Sequence, residues 1–309
     1  MNTRIRLMVI GLVVALAGAA IAVYESGWLR PPPPSVPVGG GEAGLLPRAT
    51  ATEERLDDGA LAAALEHARK EQAEVLLIAR HGHLVTEYYG HGVDRDSLLD
   101  TGTFASVLAA LTAGDAITKA HMPMPVLSDF DGAALANSIG AATDQSYVNY
   151  LSTHLWRPIN AAPARFVLDH AGAPVRTDCC FEARAIDWLR VAELLMNGGR
   201  FEGIQAVPET WVKQMLAPVT PGADHGFGIL LGKAARGAAP LESDDVLFLR
   251  GAAHDRLWMV PSLRLAVLVI APGTEGSLWD ETQLPNLVMS AVKDRPASGA
   301  SLNELVPGH

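Results

Sequence analysis

The sequence predicts an α+β fold whose antiparallel sheet is built from both ends of the chain. Three observations predict it. Two short apolar runs and a helix lie near the start of the body, the middle is helical, and the last third carries four consecutive apolar runs before a closing helix. Strands and helices segregated in this way point to α+β rather than to alternating parallel units.

Each element has its own signature. Residues Glu54 to Lys70 place Leu56, Leu61, Leu65 and Ala68 at helical spacing among charged residues. Val75 to Ala79 is a short apolar strand, His81-Gly82-His83 turns the chain, and Leu84 to Tyr89 is the hairpin partner. Thr103 to Ala116, Gly132 to Ala142 and Ser146 to Leu155 are expected helices. Ala183 to Met196 is another, ended by the cap signal Asn197-Gly198-Gly199, and Pro208 to Met215 is a shorter one. Phe227 to Leu231, Val246 to Leu249, Leu257 to Val260 and Leu265 to Ile270 are expected strands, and Glu281 to Val292 closes the fold as a helix.

The N-terminus divides the chain. Arg4 and Arg6 precede an apolar run from Leu7 to Tyr24. A bilayer-crossing helix needs roughly 20 apolar residues, and this run is at the low end of that requirement. It reads as an uncleaved signal anchor or as a cleaved signal peptide with Ala20-Ile21-Ala22 as its small-x-small site. In either case the cationic end stays in the cytoplasm and the body is exported. The expectation is an inner-membrane anchored body facing the periplasm or cell exterior, or a secreted one after cleavage. Residues 31–44, with Pro31 to Pro34 and Gly39 to Gly41, read as a stiff spacer. Residues 45–295 form the body and 296–309 a polar, disordered tail.

Composition narrows the function. The chain has 309 residues, 49% of them hydrophobic, and a net charge of -10 without a long basic run. Nucleic acid is thereby disfavoured as a partner, because phosphate binding needs clustered Lys and Arg. The two cysteines, Cys179 and Cys180, are adjacent. Adjacency argues against their pairing with each other, since ring closure strains the intervening peptide. They are expected as small buried hydrophobes, with a redox or thiol-nucleophile role as the alternative. His81, His83 and His91 near the hairpin read as a solvated turn rather than a metal site, which needs further convergent ligands. No metal and no cofactor is expected. Trp156, Trp188, Trp211 and Trp258 read as core.

The stretches from Val75 to Tyr88, from Ser146 to Pro158, from Ala183 to Arg200, from Val207 to Met215 and from Arg256 to Pro261 together resemble the serine β-lactamase and penicillin-binding-protein superfamily. It includes class C β-lactamases, carboxypeptidases and related esterases. The resemblance covers the body from about Glu54 to Val292 by order and spacing. It implies a sheet of about five antiparallel strands with helices on both faces and a reduced helical subdomain.

Chemistry in that superfamily rests on three elements. A Ser-x-x-Lys at a helix start puts the lysine one turn from the nucleophile. A Tyr-x-Asn or Ser-x-Asn loop relays protons. A Lys-Thr-Gly or His-x-Gly triplet helps hold the acyl oxyanion. Here Gly102 stands at the serine position and Ala105 at the lysine position. Phe130-Asp131-Gly132 stands at the second element and keeps neither functional side chain. At the third, Arg250-Gly251-Ala252-Ala253-His254-Asp255 puts Ala252 or Ala253 in place of the cation, with His254 as a relic. Loss of both nucleophile and base implies a non-catalytic relative that keeps its cleft for binding or acts as a scaffold. Peptidoglycan peptide or an envelope protein is the expected partner. Two alternatives stand beside it: a hydrolase with a nucleophile relocated to Thr103 or Ser106, with His254 as spatial partner, and a purely structural envelope protein. Ser290-Ala291-Val292-Lys293 spells Ser-x-x-Lys but lies in the closing helix, where it is a coincidence.

Overall fold

The computed structural model describes residues 32–123, 132–273 and 279–295. The apolar N-terminal run, the C-terminal tail and Phe130 lie outside them. Among the described residues no helix is long and apolar enough to cross a membrane.

In chain order the elements are β1 (Ser35–Val38), α1 (Asp58–Lys70), β2 (Val75–Arg80), β3 (His83–Tyr89), β4 (Leu98–Asp100), α2 (Ala105–Lys119), α3 (Gly132–Thr143) and α4 (Tyr147–Leu151). They continue with β5 (Ala164–Val167), β6 (Phe181–Arg184), α5 (Ala185–Met196), β7 (Arg200–Phe201), β8 (Ile204–Gln205) and α6 (Glu209–Leu216). The chain closes with β9 (Leu230–Leu231), β10 (Leu247–Arg250), β11 (Arg256–Val260), β12 (Leu265–Ile270) and α7 (Gln283–Ser290).

The main sheet has six strands in the order β3-β2-β12-β11-β10-β9, all antiparallel. Both ends of the chain build it, as the sequence predicts. Its inner strands are nearly continuous apolar runs because both faces are covered, with the charged residues Arg80, Arg250 and Arg256 at strand ends. The alternation shows in the cores. Val75, Leu77, Leu257, Met259 and Leu268 belong to the core shared with α2 and α5. Leu76, Ile78, Trp258, Val260 and Val267 belong to the core shared with α1 and α7. A slip of one residue would exchange the two sets.

A second sheet, in the order β1-β5-β6-β4, was not legible in the sequence. Two expectations are corrected by it. Ser35–Val38, read as spacer, pairs with Ala164–Val167 and buries Val38. Phe181–Arg184, of which Ala183 and Arg184 were read as helix, is a strand, and α5 begins only at Ala185. Arg184 remains extended and turns its guanidinium onto Asp187, which also holds Arg190 at 3.0 Å and the Ala162 amide at 3.2 Å. The buried carboxylate thus fastens the start of α5 to the second sheet. Phe104, Trp156, Phe166, Phe181 and Trp188 fill the space beneath in edge-on and tilted contacts.

Other expectations shift more modestly. The first helix starts at Asp58 rather than Glu54, because Asp57 accepts the Ala60 amide and caps it. Glu54 is instead buried, and its two oxygens each bond an imidazole Nδ1 at 2.6 Å, from His81 and His83. The hairpin turn is therefore fixed by a carboxylate rather than simply solvated. The closing helix is shorter than read, Gln283–Ser290, because Glu281 is drawn into an ion-pair network. Cys179 and Cys180 are joined in a disulfide, contrary to the expectation of separate thiols. Cys180 takes a left-handed backbone (φ 65).

Candidate functional site

The predicted nucleophile region lies where β4 of the second sheet leads into α2, facing the end of the main sheet. β4 ends at Asp100, whose Oδ1 accepts the Gly102 amide at 2.9 Å. Gly102–Phe104 forms a 3₁₀ turn that leads into α2. Facing it is the tight turn between β10 and β11. There the Gly251 amide donates to the Asp255 carbonyl and the Asp255 amide to the Ala252 carbonyl, both at 2.9 Å.

The two turns are in contact. Gly102 has φ +61, and a Cβ placed on it would stand 2.7 Å from the Ala252 amide nitrogen and 3.1 Å from the Ala252 Cβ. Thr103 Oγ1 donates to the Arg250 carbonyl. The structure thus brings the first and third predicted elements together, with backbone packed on backbone at Gly102 and Ala252. Ala105 is fully buried in the first turn of α2, so no cation is offered from that position. Gly132 opens α3, and its neighbours Phe130 and Asp131 lie outside the described residues.

The remaining predicted residues separate. His254 is not on the Ser106 side. Its ring stacks on Trp279 at 5.1 Å and packs against Gly273. Burial and the Arg256 charge hold its pKa below the ordinary histidine value. Ala253, with φ 44, passes its carbonyl to Arg256. Asp255 is buried, and its Oδ1 accepts the Ala271 amide at 3.1 Å. Burial pushes its pKa up to about 7, against the opposing pull of that amide and of Arg256.

The open space lies further along α2. Two adjoining cavities, of about 420 and 290 Å³, share Ser106, His225, Gly226 and Gly228 on their walls. The larger also meets Thr103, Phe248 and Arg250. Gly228, with φ +68, lets the loop pass close to the α2 backbone, where a Cβ would stand 2.9 Å from the Ser106 carbonyl. His225 Nδ1 lies 3.1 Å from Asp224 Oδ1, and this bond holds the Asp224 carboxyl below its usual range. Arg250 stands over the Phe248 ring at 5.4 Å and is held by Glu281 through two bonds of 2.6 and 2.7 Å. Glu281 also takes Arg256 at 2.7 Å. Burial opposes its ionisation, but bonds from Arg250 and the Arg236 amide, with the Arg256 charge, prevail and hold its pKa low. One carboxylate thus holds two guanidiniums, and the Asp224 charge on the cleft loop also acts on Arg250.

His225, Asp224 and Gly228 were missed in the sequence. Asp224-His225-Gly226-Phe227-Gly228 carries a polar pair beside two glycines, the composition of a loop that approaches another backbone closely. That was the available signal.

Comparison of the whole fold with solved structures gives extensive matches. A family VIII carboxylesterase superposes with a TM-score of 0.57 at 12% identity, covering 79% of this chain and 98% of that one. The polypeptide has the fold of the serine β-lactamase and penicillin-binding-protein superfamily. A β-lactamase from Mycobacterium bovis gives 0.55 at 14% identity over 74% and 97% of the two chains. A penicillin-binding-protein homologue from Caulobacter crescentus gives 0.54 at 11% over 75% and 96%. No protein-family model and no curated protein sequence matches the chain. The β-lactamase-like likeness is therefore carried by the backbone, and identities this low establish fold rather than activity.

Proposed function

We propose that this β-lactamase-like protein is a non-catalytic envelope protein that uses the cleft beside Thr103, Ser106 and Arg250 to bind a carboxylate-bearing peptide, such as a peptidoglycan stem peptide. One observation carries the reading: the Gly102 position, where the superfamily's nucleophile would stand, is closed by the Ala252 backbone. The cleft further on pairs a guanidinium with apolar Phe248, Ile229 and Leu230, which suits an anionic group on an apolar body. The apolar run from Leu7 to Tyr24 would hold the body near the membrane surface, where such peptides occur.

A second reading is favoured by a separate observation. Ser106 and a carboxylate-bound imidazole, His225, lie on the walls of one cavity. A hydroxyl, an imidazole and a carboxylate are the groups that serine acyl transfer employs. On this reading the protein is a hydrolase with a relocated nucleophile.

Intact-mass measurement after exposure to a fluorophosphonate and a reporter penicillin separates the two. An unmodified mass, with calorimetric binding of a D-alanyl-D-alanine peptide that Arg250→Ala weakens, is expected for the binding protein. An adduct mapped to Ser106 overturns it in favour of the hydrolase.

A further inference from the structure

We propose that the Cys179–Cys180 disulfide is a redox-sensitive latch for the loop that walls both the cleft and a second cavity. The loop runs from Leu168 to Cys180 and joins β5 to β6. At its base the Val167 amide donates to the Cys180 carbonyl at 2.8 Å, continuing the pairing of Phe166 with Phe181. Thr177, buried, contributes to the wall of the cavity that holds Ser106 and His225. Pro174 and Val175 contribute to another cavity, of about 410 Å³, against Ala136 and Tyr147. The disulfide is thus set between a sheet and the segment that shapes two recesses.

The chemistry follows from the backbone. Cys180 has φ 65, a conformation that residues with a Cβ rarely adopt. The covalent ring with Cys179 restricts the dipeptide. When a dithiol reductant attacks, its thiolate displaces one cysteine sulfur to give a mixed disulfide. Its second thiol then displaces the other, so the reductant leaves as a disulfide and the protein gains two thiols. Two electrons and two protons pass to the protein. Freed of the ring, Cys180 relaxes towards negative φ, which pulls its carbonyl from Val167 and loosens residues 168–180. Both sulfurs belong to half-buried residues, and the chain has no third cysteine to re-pair with.

The test uses the full chain and needs no ligand, so it stands apart from the cleft's function. Iodoacetamide should leave the untreated protein unalkylated and add two groups after dithiothreitol. Amide exchange in residues 168–180 and tryptic cleavage after Arg176, which is exposed, should rise several-fold on reduction while exchange in α5 stays unchanged. The Cys179→Ser/Cys180→Ser variant should match the reduced protein with or without reductant. Two alkylated thiols before reduction, equal exchange and cleavage in both states, or a double-serine variant that matches the oxidised protein would each overturn the proposal.

Discussion

Gly102 and Ala252 meet backbone to backbone, with room for a hydrogen but not for a side chain. A serine at position 102 would meet the Ala252 amide and would have to hold φ near +61. The left-handed conformation alone costs about 1–2 kcal/mol for a residue with a Cβ, and overpacking adds about 1–3 kcal/mol. Gly102→Ser is therefore expected to lose about 2–5 kcal/mol of stability, read by chemical denaturation. Gly102→Ser/Ala105→Lys should remain unreactive to fluorophosphonate. Efficient acylation of that double variant would show that the turn between β10 and β11 yields easily.

Asp255 makes stability depend on pH in a definite direction. Its folded pKa, about 7, stands above the ordinary aspartate value of 3.8, so the folded state holds the proton more tightly than the unfolded one. Its contribution is fully present below about pH 4 and is lost as pH rises through about 7. Asp255→Asn keeps an oxygen acceptor for the Ala271 amide and abolishes the titration. The variant should gain stability relative to the parent as pH rises from 4 to 8, by about 2–4 kcal/mol at the alkaline end. Melting curves across that range give the difference, and a constant offset would refute the assignment.

Glu281 works in the opposite sense. Its pKa is held below the usual glutamate value, so its contribution is present above that value and lost as pH falls through the folded one. Glu281→Gln leaves Arg256, whose side chain is only 7% exposed, without its anion. Removing one partner of a buried pair costs about 3–5 kcal/mol. Because Arg250 relies on the same carboxylate, peptide binding in the cleft should weaken with stability, as calorimetry on the folded variant would show.

Gly114 lies under the Trp211 indole, whose Nε1 donates to the Ala110 carbonyl at 2.9 Å. α2 and α6 approach each other here because position 114 has no side chain. Gly114→Ala gains about 1 kcal/mol of helix propensity but forces the indole away from its acceptor. A net loss of about 1–3 kcal/mol is expected, with a shift in tryptophan emission.

The sequence by itself determined the main sheet. Runs such as Val75–Arg80 and Leu265–Ile270 are long, apolar and bounded by turns, so local pattern suffices to place them. It also shows directly that positions 102 and 105 hold glycine and alanine, neither of which carries a nucleophile or a base. Only the tertiary structure decided the second sheet. Leu98–Asp100 and Phe181–Arg184 are too short to show a period, and they become strands because each finds the other's edge. It likewise decided that Gly102 is closed by Ala252, that His254 faces Trp279 while His225 lines the cleft, and that neighbouring cysteines join. Those outcomes depend on contacts between residues far apart in the chain, or on a single left-handed φ. Local periodicity carries no information about either.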